Sequence, residues 1–155
     1  MKIIFLDIDG VLNDAPTILE KENDLPAKNH LEYLKQIVDA TGAQIVLSST
    51  WRLFPRSRKD VRDGLKMVDL DFIDRTEELE DRDTEIREWL GRHPEVESYV
   101  ILDDEDEFSN ELAKHQVLTT FYEGLLPKHV PQAIKILNSG EEKSAKLDAE
   151  AQKDE

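Results

Sequence analysis

The chain opens MKIIFLDIDGVLND, an apolar run leading straight into Asp7, Ile8, Asp9 and Gly10. On an extended chain residues two apart point the same way, so Asp7 and Asp9 can face one ligand while Ile8 packs inward. Gly10 lets the backbone turn away with no side chain in the site. Two further apolar runs end in polar clusters: QIVL in Ser48, Ser49 and Thr50, and SYVIL in Asp103 and Asp104. In a parallel sheet all three clusters emerge at one edge, and such sheets bind ligands at the carboxyl ends of their strands. Carboxylates gathered at one point repel, and burying one unpaired is costly. A hard divalent cation resolves that conflict. The chain has no cysteine, and all-oxygen ligation suits Mg²⁺, bound at about 2.0–2.1 Å with several waters retained.

Taken singly, each cluster has a bland reading. Asp7 and Asp9 could cap a loop or bind Ca²⁺, the serines could satisfy nearby backbone groups, and Asp103-Asp104 could start a turn. Their joint occurrence in this order is far more specific.

The elements that must position these residues are legible from periodicity. Lys2–Leu6, Gln44–Leu47 and Ser98–Leu102 are short apolar runs with β-branched residues, the pattern of buried strands. Asp71–Ile73 and Gln116–Thr119 are shorter strand candidates. Helical spacing covers His30–Ala40, Ser57–Val68, Thr84–Arg92, Phe108–Lys114 and Pro127–Leu137, with Gly42 as a stop after the first. Asn13–Asn29, with two prolines, reads mostly as loop. Alternating strands and helices predict a Rossmann-like three-layer α/β/α sandwich on a mainly parallel sheet, one domain over 1–138. Residues 139–155 are small, polar and charged and read as an acidic, disordered tail.

At 155 residues the chain is long enough to bury a real core. No apolar run approaches membrane-spanning length, and Ile3–Leu6 is too short for a signal-peptide core, so the expected location is cytoplasmic, with no membrane partner. Oligomeric state is not legible. The net charge of −15 repels nucleic acid at long range. Against it stands a basic cluster of Arg52, Arg56, Arg58, Lys59 and Arg62, read either as a solvated helix face or as a local anion-binding patch. His30, His93, His115 and His129 are scattered over helices or their ends and are expected in surface or boundary roles.

With these residues in hand, the sequence resembles the haloacid dehalogenase-like (HAD) phosphohydrolase superfamily. FLDIDGVL looks like its first motif, IVLSS its second and YVILDD its fourth, over about residues 1–137. Its third motif is a Lys or Arg before the last acidic strand; Arg82 is preferred over Arg87, which lies mid-helix, and over Arg75. A narrower resemblance, carried by LSSTWR, RDTEIREWL, YVILDDEDEF and a degenerate TTFYEGLL, is to the small HAD domains associated with RNA-repair proteins.

The resemblance implies a Mg²⁺-dependent phosphomonoester hydrolase. Asp7 forms an aspartyl-phosphate and Asp9 acts as general acid and then base. Mg²⁺ is held by Asp7, the Asp9 carbonyl, Asp103 and Asp104, whichever of the last two ligates directly. Ser48 and Arg82 stabilise the phosphoryl group. Ser49, Trp51 and Arg52 are the candidate substrate contacts. Trp51 either packs against the next helix or offers a stacking platform, with Arg52 reaching a second phosphate or a base. Neither Asn13–Asn29 nor Trp51–Asp81 has room for a full cap domain, and capless members act on large substrates. The expected partner is therefore a phosphorylated substrate, with a nucleic-acid or nucleotide end favoured by the basic cluster. Small metabolites, phosphoproteins, a non-catalytic binding module and a Mg²⁺ nuclease are the alternatives.

Overall fold

The computed structural model describes residues 1–14 and 28–139. Five strands form one parallel sheet: β1 (Lys2–Leu6), β2 (Gln44–Leu47), β3 (Phe72–Arg75), β4 (Ser98–Asp103) and β5 (Gln116–Leu118), in the order β3-β2-β1-β4-β5. The first strand is thus central, and the order reverses beside it, which is where open α/β sheets place ligands.

The helices are α1 (Lys28–Thr41), α2 (Pro55–Lys66), α3 (Arg82–Gly91), α4 (Asn110–Ala113) and α5, over 129–139; a 3₁₀ turn, Thr50–Leu53, precedes α2. Their apolar stripes sort onto two faces. Leu31, Leu34 and Ile37 of α1, Val61 and Leu65 of α2, and Val130, Ala133 and Leu137 of α5 pack with Ile4, Leu6, Ile45 and Leu47. Ile86 and Trp89 of α3 and Leu112 of α4 pack with Ile3, Phe5, Val46 and Ile101. The period-2 alternation of β1 therefore feeds two cores, the arrangement of a three-layer sandwich. Phe5 sits between Trp89 and Tyr99, edge to face at 5.5 and 5.9 Å.

The elements match the sequence expectation to within a few residues. Helix α1 ends at Gly42, which adopts φ +71° and donates to the Val38 carbonyl, as a C-terminal glycine does. The expected loop falls largely, and the expected tail from residue 140, outside the described residues; Ser139 itself is helical. No helix among the described residues is long and apolar enough to cross a membrane, and no cap domain lies among them. Two histidines depart from the expected surface or boundary role. His30 is buried between the Leu125 carbonyl at 2.7 Å and Asp14 Oδ2 at 2.9 Å, and His129 is buried with Nδ1 accepting from the Leu126 amide.

Candidate active site

The sheet ladder runs past the ends of its strands and so sets the polar clusters side by side. The Asp7 amide donates to the Leu102 carbonyl at 3.0 Å, the Ser48 amide to Leu6 at 3.1 Å and the Thr119 amide to Asp103 at 3.1 Å. Asp7 therefore lies between Ser48 and Asp103 at the carboxyl edge. Asp7, Asp103 and Asp104 each offer an oxygen within 4.8 Å of the others. One cation can reach all three.

Burial sets the electrostatics. Asp7 is 5% exposed and Asp103 fully buried. Burial pushes the Asp7 carboxyl well above the usual carboxylate range, and repulsion from Asp103 and Asp104 adds to it; Arg82 and the Ile8 amide, 2.9 Å from Asp7 Oδ1, pull the other way and lose. Asp103 is also raised, chiefly by burial, against Arg82 and the Glu105 amide at 3.0 Å. Arg82 Nη1 lies 2.8 Å from Asp103 Oδ2 and 3.5 Å from Asp7 Oδ2. Burial works against its charge, but Asp7 and Asp103 outweigh it and raise its pKa. One guanidinium among three carboxylates leaves a net negative, all-oxygen donor set, which fits a hard divalent cation such as Mg²⁺.

Among the arginines weighed for the third motif, Arg82 reaches the cluster. Arg87 pairs with Asp83 and Glu111, and Arg75 donates to the Arg52 carbonyl at 2.9 Å.

Asp9 is drawn elsewhere. Its Oδ2 accepts from the Trp51 indole Nε1 at 3.1 Å, and its Oδ1 lies 3.5 Å from Asn13 Nδ2. Its side chain is thus apart from the trio of Asp7, Asp103 and Asp104. A tight turn makes this possible: the Gly10 amide donates to the Asn13 carbonyl at 2.7 Å, and Gly10 has φ +82°. A Cβ at Gly10 would lie 2.4 Å from Asp104 Oδ2, so glycine is needed both for the turn and for the approach of Asp104.

The second cluster divides its work. The Ser48 hydroxyl is buried with no hydrogen-bond partner among the described residues. Ser49 Oγ accepts from the Trp51 amide at 3.2 Å and caps the 3₁₀ turn. Arg52, 2% exposed, is turned inward. Its Nε donates to Thr76 O (2.9 Å), Nη1 to Ser48 O (3.3 Å) and Ser49 O (2.8 Å), and Nη2 to Glu77 O (3.1 Å) and Glu85 Oε2 (2.6 Å). All of its guanidinium N–H groups are used, so the expectation that Arg52 touches substrate gives way to a clamp joining the loop after β2, the loop after β3 and α3.

The rest of the basic cluster lies nearer the surface, where Arg58, Lys59 and Arg62 have partners within the protein and Arg56 is exposed. Arg58 donates to the Arg52 carbonyl, Lys59 pairs with Asp63, and Arg62 pairs with Asp71 while covering the Phe72 ring.

Sequence reasoning missed Asn13, Glu85 and Glu105. Glu85 had a faint signal: it lies one helical turn from Arg82 on α3. The other two had none.

The family model described as the HAD domain in Swiss Army Knife RNA repair proteins matches residues 3–130. No curated protein and no solved structure matches the chain significantly.

Proposed function

Because the chain belongs to the family of HAD domains found in Swiss Army Knife RNA repair proteins, a phosphohydrolase-type family, we propose that it is a Mg²⁺-dependent phosphomonoester hydrolase acting through Asp7. The observation that carries this reading is the meeting of Asp7, Asp103 and Asp104 oxygens within 4.8 Å, beside Arg82. Those three carboxylates, with the Asp9 carbonyl, are the residues to hold Mg²⁺, which supplies charge neutralisation and orientation of the phosphoryl group when bound.

The chain's own residues do the rest. An Asp7 oxygen attacks phosphorus, the bond to the leaving oxygen breaks, and Asp9 delivers a proton to that oxygen. Asp9 then takes a proton from water, whose oxygen attacks phosphorus, freeing inorganic phosphate and the Asp7 carboxylate. Arg82 and the Ser48 hydroxyl donate to the phosphoryl oxygens as charge builds there. The two aspartates of the first motif need different surroundings for these tasks. Asp7 sits in the carboxylate trio and Asp9 against an indole N–H.

For the substrate we propose a phosphorylated nucleic-acid or nucleotide end. The family description supports it. So do Phe121 and Tyr122, exposed aromatics on the loop after β5, Tyr122 at 75%. That loop is tied to the first motif by Thr119 Oγ1, which donates to the Gly10 carbonyl. Aromatic faces of this kind stack bases.

The test is phosphate release with Mg²⁺ from 3′- and 5′-phosphorylated oligonucleotides, sugar phosphates and a phosphopeptide, beside Asp7→Asn. We expect the oligonucleotide ends to be preferred and the variant to fall by at least about a thousandfold while staying folded. Near-wild-type turnover by Asp7→Asn would refute the nucleophile, and a preference for sugar phosphates would refute the substrate class.

A further inference from the structure

Asp9 is held unevenly. Trp51 Nε1 donates to Oδ2 at 3.1 Å, whereas among the described residues Oδ1 has only Asn13 Nδ2, at the outer limit of 3.5 Å. An indole N–H is a donor and never an acceptor. It therefore occupies one of the two lone pairs of Oδ2 and leaves Oδ1, whose contact is the longer one, the better placed of the two oxygens to carry a proton.

The donor itself is fixed. Trp51 lies in the 3₁₀ turn Thr50–Leu53, capped by Ser49, and its half-buried ring packs on the core beneath. Its neighbour Arg52 is pinned by five hydrogen bonds. The indole is thus held from both sides by elements far from Asp9 in sequence.

We infer that Trp51 is a positioning residue for proton transfer: its N–H immobilises Asp9 Oδ2, leaving Oδ1 to give a proton to the leaving oxygen and later take one from water. This rests on the phosphatase reading above. Nothing is consumed at Trp51, because the N–H stays bonded through both transfers.

The prediction separates a positioning role from a merely structural one through the leaving group. A nitrophenolate leaves without help, whereas an alkoxide needs the proton. In kcat/KM, which covers the steps through phosphoryl transfer, Trp51→Phe should lose about tenfold or more on a simple alkyl phosphate and less than about threefold on p-nitrophenyl phosphate, since a placed general acid supplies about 10²–10⁴-fold. Benzothienylalanine at position 51, which keeps the bicyclic shape and removes only the N–H, should show the same selective loss and guards against a packing defect. In an Asp9→Asn background Trp51→Phe should have no further effect, because the two act as one unit. Equal losses on both phosphates, full activity of the isostere, or additivity with Asp9→Asn would each overturn the assignment. A wild-type protein that releases phosphate from neither of these nor from the 3′- and 5′-phosphorylated oligonucleotides would instead overturn the phosphatase reading, and this assignment with it.

Discussion

Arg52 and Glu85 meet at 2.6 Å in a site from which both side chains exclude nearly all water. Glu85 also accepts from the Leu79 amide at 2.9 Å, and it stands on the same helix as Arg82. The pair joins the loop that carries the Ser48 hydroxyl to the helix that carries the cation beside Asp103. Two parts of the candidate site thereby share one internal brace.

Removing one partner of such a brace strands a buried charge. Arg52→Lys keeps the charge but cannot reproduce a five-donor fork. Lysine has three donors for five acceptors, so with two buried acceptors stranded at about 1–3 kcal/mol each we expect a loss of about 2–6 kcal/mol, which at this chain length lowers Tm by roughly 4–24 °C. Arg58→Ala and Arg75→Ala each remove one bond to the Arg52 carbonyl and should cost only about 1 kcal/mol. Thermal melts of the three variants check this; an Arg52→Lys protein as stable as wild type refutes the brace.

The Asp7 carboxyl is raised above its ordinary 3.8, first by burial and then by Asp103. A group whose folded value exceeds its unfolded one contributes stability fully present below the unfolded value and lost as pH rises through the folded one. In chelator, wild type should therefore weaken toward neutral pH through this carboxyl, and Asp7→Asn, which keeps only the raised Asp103, should weaken less. At pH 7.5 the variant should melt a few degrees higher, on a scale where about 1 kcal/mol moves Tm about 2–4 °C, and the gap should close near pH 4. Saturating Mg²⁺ should reverse the order, since ligand at a hundred times Kd stabilises by about 2.7 kcal/mol. Wild type melting higher in chelator at pH 7.5 sinks the account.

Ser48 offers a stability and activity pair of opposite sign. Its buried hydroxyl lacks a partner among the described residues, a state that costs about 1–3 kcal/mol. Ser48→Ala should melt at or above wild type while turnover falls about a hundredfold, as for loss of one donor to a developing oxyanion. A fall in both would mark the hydroxyl as structural.

Gly10→Ala should act through Asp104. The added Cβ would sit 2.4 Å from Asp104 Oδ2, at a φ of +82°, a strain of about 1–3 kcal/mol. We expect the Mg²⁺ concentration for half-maximal activity to rise at least about tenfold, or about 1.4 kcal/mol. Asp104→Ala should do the same, and the double variant should be no worse than the stronger single one. Additive effects would place the damage outside the carboxylate cluster.

The convergence of Asp7, Ser48 and Asp103 was legible before any coordinates, because apolar runs ending in polar residues report both a strand and its end. Parallel pairing then leaves one edge for all of them. The two-sided core was equally legible, since Ile3 and Phe5 alternate with Ile4 and Leu6 along a strand of period 2.

Side-chain partnership across the fold was not. Arg52 looked like a substrate contact from its place after the serines; only the packed loops after β2 and β3 show its guanidinium fully engaged. Asp9 looked like a member of the carboxylate cluster; only the placement of Trp51, forty-two positions away, shows what holds it. His30 looked peripheral until Asp14 and Leu125 closed around it. The difference is physical. Periodicity and strand ends are fixed by neighbours in the chain, so the amino-acid order alone determines them. Which donor meets which acceptor depends on distances of a few tenths of an ångström between segments remote in sequence, and only the assembled tertiary structure sets those.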